Sequence, residues 1–140
     1  MKIYDGKGIV AGRLAAKIVK SILVGEQVIV ANARDLVLSG TLKFQTEKLK
    51  VRRSLKDKRN PENSVKYPRT PHLLFKKIVK GMLPKKTRRG REALKRLKVY
   101  NDVPSDVDMK NAVSDPALAR KDLFKSTTMG KLCGAFGFKS

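Results

Sequence analysis

Between residues 43 and 98 the chain holds 21 Lys and Arg side chains against four carboxylates. A packed interior cannot take that charge, because ionised groups removed from water without partners lose more hydration than packing returns. A solvated, salt-bridged surface needs interleaved carboxylates at helical spacing, and four cannot supply them. The segment therefore has to sit outside a core built mainly by its neighbours. Those neighbours are nearly neutral: residues 1–42 carry +3 and residues 99–140 carry +1, so the middle holds +17 of the total +21.

The chain's 140 residues suffice for one domain with a sizeable core, and its 41% apolar content is that of a globular protein. The expected organisation is a single domain over 1–140: a βαβ body at 1–42, a basic midsection at 43–98, and a C-terminal strand, loop and helix at 99–140. So large a positive excess points to a polyanion, with nucleic acid ahead of an anionic membrane surface. No apolar run approaches bilayer length, and "MKIYDGKGIV" lacks a secretory h-region, so no membrane partner is expected. A cytoplasmic location is expected, and the single cysteine, Cys133, agrees with a reducing compartment. One cysteine and one histidine, His72, exclude the usual structural zinc site, so no metal is expected.

The first segment has the clearest pattern. "MKIY" reads as a short strand. "AGRLAAKIVKSIL" places Leu14, Ile18 and Leu23 near helical spacing, widened by Val19 and Ile22, with Gly25 at the helix end. "EQVIVANA" follows as a strand buried on both faces, which makes a βαβ unit with a parallel pairing. "DLVLSG" adds a third extended piece. Residues 41–56 read as a helix capped by Thr41, with Leu42, Leu49 and Val51 as a loose core stripe. Residues 57–70 are a loop by composition. A helix starts at Thr70-Pro71, hydroxyl at N-cap and proline at N1, with Leu74, Phe75, Ile78, Val79 and Met82 as its buried face and Gly81 and Pro84 closing it.

The most basic stretch, "KGMLPKKTRRGREALKRLKVY", runs from 80 to 100. On a helix from about Arg88 to Lys98, Ala93, Leu94 and Leu97 share one arc. Arg88, Arg91, Lys95 and Lys98 share the opposite arc, with Arg89 and Arg96 at its edge. The pattern is a cationic comb held by an apolar face, followed by a strand at Val99.

Other motifs carry less. Gly6, Gly8 and Ala11 satisfy a dinucleotide fingerprint, with Asp35 after the second strand, which would make the chain a nucleotide-cofactor enzyme. Glycines serving a tight strand-to-helix turn explain the same residues, and no cofactor is expected. "GAFGFK" at 134–139 echoes an RNA-recognition-motif strand, but it reads better as Phe136 and Phe138 packing a terminal helix that begins near Thr128. His72 reads as a partly exposed helix-start residue and Cys133 as a small buried hydrophobe. Asp102, Asp106 and Asp108 form a small acidic group in a loop. Tyr67, between Lys66 and Arg69, suits either base stacking or loop packing.

"GRLAAKI" at 12–18, "VIVANARDLVLSG" at 28–40 and above all "GMLPKKTRRGREALKRLKVY" at 81–100 resemble the L-thirteen family of large-subunit ribosomal proteins. The resemblance runs from Ile3 to Tyr100 and is nearest the archaeal and eukaryotic branch, the compact length favouring an archaeal form. It implies a three-layer α/β/α fold around a small, mostly parallel four-stranded sheet. It also implies large-subunit ribosomal RNA and neighbouring ribosomal proteins as partners, without catalysis or a small-molecule substrate. "NDVPSDVDM" departs from the family pattern, which has glycine before the Val-Pro pair, and residues 105–140 match faintly.

The expected RNA contacts fall in four groups. Lys7 and Arg13 lie near the first helix start. Arg52, Arg53, Lys56, Lys58 and Arg59 surround the first basic turn, and Lys66 and Arg69 lie in the loop. Lys85, Lys86, Arg88, Arg89 and Arg91 belong to the 80–100 stretch, with Lys95, Arg96 and Lys98 sharing that surface. Such cations fix register on phosphates with little base readout. The alternatives are the cofactor enzyme and a DNA-compacting or other non-ribosomal nucleic-acid-binding protein.

Overall fold

A computed structural model describes residues 1–105, 109, 112–113, 116–119 and 124–139. Strand β1 (Lys2–Asp5) leads into helix α1 (Ala11–Val24) and strand β2 (Val28–Ala31), and β1 pairs with β2 in parallel from Lys2↔Val28 to Asp5↔Ala31. The expected βαβ unit is therefore present. Helix α1 buries Ala11, Leu14, Ala15, Ile18 and Ile22, and it ends at Gly25 in the left-handed conformation, φ 112°. All four β2 residues are buried, as their unbroken apolar run requires.

The rest of the chain wraps this unit. Strand β3 (Val37–Ser39) precedes helix α2 (Leu42–Ser54), a loop, helix α3 (Pro71–Met82) and helix α4 (Arg88–Lys95). Strand β4 (Leu97–Val99) returns to β2, and β5 (Ser126–Thr128) precedes α5 (Met129–Gly134). The α/β class holds, with the strands divided differently from a single four-stranded sheet. Strands β1-β2-β4 form a three-stranded parallel sheet, while β3 and β5 form a separate antiparallel pair. Val37 N–H donates to Ile9 O (2.8 Å), tying the pair to the turn between β1 and α1, and Met129 N–H donates to Leu36 O (2.8 Å), extending the β3–β5 ladder. Strand β5 carries no apolar alternation, only Ser126, Thr127 and Thr128, so nothing in its pattern distinguishes it from loop.

Two apolar clusters hold the elements. The larger places Tyr4, Val28, Val30 and Leu97 of the sheet against Leu14, Ile18 and Ile22 of α1 and Phe75 and Val79 of α3. The smaller gathers Leu49 of α2, Leu74 of α3 and Leu132 and Cys133 of α5, with Phe136 and Phe138 packed against it. Those two phenylalanines thus serve the terminal helix, whose cap is Thr128: its Oγ1 accepts from Lys131 N–H (3.4 Å). Burial pushes the Cys133 thiol up to about 11, the behaviour of a buried hydrophobe.

Several local expectations change. Helix α2 keeps its Thr41 cap, which accepts from Phe44 N–H (3.4 Å), but only Leu49 of its stripe is buried; Leu42 and Val51 are exposed. At α3, Thr70 holds the N-cap position without capping. The acceptor comes from across the fold, where Asn101 Oδ1 takes His72 N–H (3.1 Å) and also contacts His72 Nδ1 (3.0 Å). Met82, at the last turn of that helix, is exposed rather than buried. The 88–98 helix is cut short at Lys95, because a strand there completes the sheet. Val28 N–H donates to Arg96 O (3.1 Å) and Leu97 pairs with Val28. Leu97 therefore reaches the core from a strand, and Lys98, its neighbour, points to the opposite sheet face.

Leu97 is 1% exposed while Leu94 is half-buried. Leu97→Ala is expected to lower stability by about 2–5 kcal/mol, because it opens a cavity in the larger core. Leu94→Ala is expected to lower it by less, and urea melts of the two variants check the order.

Candidate nucleic-acid interface

Of the seventeen expected contact residues, fifteen are exposed; Arg53 and Arg96 are half-buried. The structure divides them by location. Lys7 and Arg13 sit at the N-terminal end of α1, while Arg89 and Arg96 reach its C-terminal end. The helix has 14 residues, so roughly 20 Å separates the two groups. Lys7 stays in the turn beside Asp5, whose carboxylate accepts its N–H (3.1 Å).

Some of these cations have work inside the fold. Arg13 Nη1 donates to the carbonyls of Ala119 (3.1 Å) and Ala117 (3.4 Å), tying α1 to the distant 116–119 turn. Arg96 Nη1 donates to Ile22 O (3.3 Å) and Arg89 Nη2 to Leu23 O (3.4 Å). Those two carbonyls belong to the last turn of α1, where unsatisfied acceptors and the negative end of the helix dipole favour a cation. Arg88 Nε donates to Glu92 Oε1 (2.7 Å) one turn along α4. Among the described residues it is the one cation of the midsection with an ion-pair partner. Arg91, Lys85, Lys86 and Lys95 remain exposed to solvent.

The comb depends on a glycine that the helical reading passes over. At Gly90, a Cβ would stand 2.1 Å from the Pro84 carbonyl oxygen. The Gly-Met-Leu-Pro corner therefore crosses directly over the first turn of α4. Thr87 locks the crossing: its Oγ1 accepts from Gly90 N–H (3.2 Å) and donates to Pro84 O (3.0 Å). The signal was in the sequence, since a glycine inside a short basic helix has no propensity reason to be there.

The loop from 55 to 70 is organised by its own carboxylate. Asp57 Oδ1 accepts from Arg59 N–H (3.0 Å) and Asn60 N–H (3.3 Å), and Asp57 N–H donates to Ser64 Oγ (3.0 Å). Asp57 is thereby engaged with backbone, and Lys56, Lys58, Arg59, Lys66 and Arg69 stay exposed.

An open groove of about 1120 Å³ runs between α2 and α3. Lys48 and Arg52 line it from α2, Lys66 from the loop, Lys76, Lys77 and Lys80 from α3, and Lys85 stands at one end. Among the described residues, no carboxylate lines it. The Lys77 ammonium lies 3.6 Å from the centre of the Tyr67 ring and donates to Lys66 O. Burial holds the Lys77 pKa below the ordinary lysine range, and the charges of Lys80 and Lys85 lower it further. Arg52 lies 5.9 Å from the same ring and Arg53 5.2 Å from Phe136, so both guanidiniums rest on aromatic side chains. The groove joins the α2 group to the 80–100 group. Lys48, Lys76, Lys77 and Lys80 were absent from the expected set. Leu73, Lys76, Lys77 and Lys80 recur at helical spacing opposite Leu74, Phe75, Ile78 and Val79, so the rule used for 88–98 finds them too.

The dinucleotide fingerprint is accounted for by packing. At Gly6, a Cβ would stand 2.5 Å from Asn32 O and 2.9 Å from Ala31 O, so the chain crosses the end of β2 where only glycine fits. Gly8 adopts φ 68°, and Ala11 is fully buried at the start of α1. No group of three or more His, Cys, Asp or Glu among the described residues is placed to hold a metal. Asp106 and Asp108 lie outside the described residues. Among those described, no helix is long and apolar enough to cross a membrane.

A small α/β scaffold that displays unpaired cations around an apolar-floored groove defines a polyanion-binding protein. The chain belongs to the family described as Ribosomal protein L13, whose profile matches residues 1–106. It is similar to the large ribosomal subunit protein uL13 of Methanosphaera stadtmanae, 35% identical over 138 residues, which is 98% of this chain and 97% of that protein. The uL13 protein of Thermoplasma volcanium is 41% identical over 107 residues, covering 76% of each chain. That of Methanopyrus kandleri is 35% identical over 143 residues, covering 98% of this chain and 87% of its own. The similarity thus extends past Tyr100 into the region where the sequence pattern alone was faint.

Gly90→Ala is expected to destabilise the protein by about 1–3 kcal/mol, since the new methyl meets backbone rather than a movable side chain. Chemical denaturation checks it, with Gly12→Ala as a control at an exposed helix position with open space for the methyl.

Proposed function

We propose that the chain is a structural, non-catalytic constituent of the large ribosomal subunit that binds ribosomal RNA through the α2–α3–α4 surface and supports subunit assembly. Its place is then the cytoplasmic ribosome, among neighbouring large-subunit proteins. Family membership supports this reading, and one observation carries the chemistry: a groove that, among the described residues, is lined by seven cations and no carboxylate. Phosphates are the partner such a surface lacks.

The division within the cationic set refines the proposal. Arg13, Arg89 and Arg96 hold the fold through carbonyls and contribute less to RNA. Arg52, Arg53, Lys56, Lys58, Arg59, Lys66, Arg69, Lys85, Lys86, Arg88, Arg91 and Lys95 lie around the groove and α4, and they are the proposed phosphate contacts. Lys7 and Lys98 form separate outlying contacts.

Affinity for a ribosomal RNA fragment is expected to fall linearly with salt on a log–log plot. For about eight phosphate contacts the loss between roughly 50 and 200 mM salt is about four decades. Changing Lys86, Arg88 and Arg91 together to Gln is expected to lower the slope by about two to three and to leave folding nearly unchanged, all three being exposed and none of them bonded to α1. Titration by fluorescence anisotropy reads both. A flat salt dependence contradicts the proposal.

A further inference from the structure

The α2–α3 groove has a second property besides charge. Its walls expose Leu73 (46%) and Val65 (55%), with Tyr67 half-buried among them. It also contains Gly81, next to the last residue of α3, which leaves bare backbone on the groove wall. Among the described residues, a Cβ at Gly81 would meet nothing within 4 Å, so no contact with them calls for its absence. Its φ does not call for glycine either, because Gly81 lies outside the positive-φ set. A bare backbone on a groove wall admits a ligand at close approach.

The candidate polyanions differ in what they offer such walls. Duplex RNA presents phosphates and 2′-hydroxyls while its base faces are stacked inside the helix, so exposed Leu73 and Val65 gain nothing from it. An unpaired strand presents both phosphates and base faces. The groove, at about 1120 Å³, is at or above the upper end of what one drug-sized ligand fills, roughly 300–1,000 Å³, so it has room for more than one nucleotide.

We propose that the α2–α3 groove holds a few unpaired nucleotides of RNA, with phosphates on Lys76, Lys80 and Lys85, base faces against Leu73 and Tyr67, and the strand passing close over Gly81. The proposal rests on the RNA-binding reading above and adds the form of RNA that this part of the surface selects. The remaining cations of α4 and the 55–70 loop then take paired regions.

The test compares two labelled probes of equal phosphate count, hexauridylate and a blunt three-base-pair hairpin stem closed by a non-nucleotide linker, at one salt concentration. The strand is expected to bind about tenfold more tightly than the stem. Gly81→Leu, which places a side chain in open space, and Leu73→Asn, at an exposed site, should each lower strand affinity by about five- to tenfold with stem affinity unchanged. Circular dichroism melts confirm that both variants fold. The chain has no tryptophan, so quenching of tyrosine emission on adding hexauridylate, lost in Tyr67→Leu, gives a second readout. Equal binding of strand and stem, or equal losses for both in the variants, overturns the groove proposal and leaves the RNA-binding reading standing. If neither these probes nor a longer ribosomal RNA fragment binds, both readings fall. Displacement of the strand by polyglutamate at equal charge would mark a general polyanion site and overturn the groove proposal as well.

Discussion

Like charges held a few ångströms apart repel, and this fold holds them apart from any internal remedy. The 21 cations of the midsection have four carboxylates near them in sequence. Of these, Asp57 is engaged with backbone N–H groups and Glu92 with Arg88. What fixes α2, α3 and α4 therefore comes mainly from apolar contact, with backbone bonds and neutral caps from Thr41, Thr87 and Asn101. The larger core supplies it through Phe75, Val79, Ala93 and Leu97, and the smaller through Leu49, Leu74 and Leu132. The scaffold works as a rigid mount for charge that it cannot neutralise.

A second consequence concerns which cations are free to act. Arg89 and Arg96 lie at the end of α1, where bare carbonyls and the helix dipole stabilise a guanidinium. Arg13 does similar work with Ala117 and Ala119. Arginine suits these places because its several donors reach carbonyls while the charge stays partly hydrated. Lysines dominate the groove instead, where Lys76, Lys80 and Lys85 stand as point charges and Lys77 is held over the Tyr67 ring. The same composition thus covers two roles, and only geometry separates them.

The βαβ unit was legible in the sequence because Leu14, Ile18 and Ile22 and the run Val28–Ala31 carry strong, unambiguous periods. The basic character of the interface was legible from counting alone. The limits of α4 were not, because Leu97 fits a helical arc with Ala93 and Leu94 as well as it fits a strand. Only the vacant edge of β2 decides between them. Strand β5 escaped because a Ser-Thr-Thr segment has no apolar pattern to read. The Asn101 cap on α3 escaped because it joins residues 29 apart in sequence. The groove escaped for a related reason: it exists only once α2 and α3 are brought together, although the lysines on α3 share one readable face.

Apolar packing holds the cationic surface against its own repulsion. The most direct measurement is the melting temperature of the RNA-free protein as sodium chloride rises from about 0.05 to 0.5 M, over which the Debye length shrinks from roughly 14 to 4 Å. Screening should relieve repulsion among the midsection cations, so the melting temperature should rise with salt. A melting temperature that falls over that range would mean that ion pairs hold the surface together, and would contradict the claim.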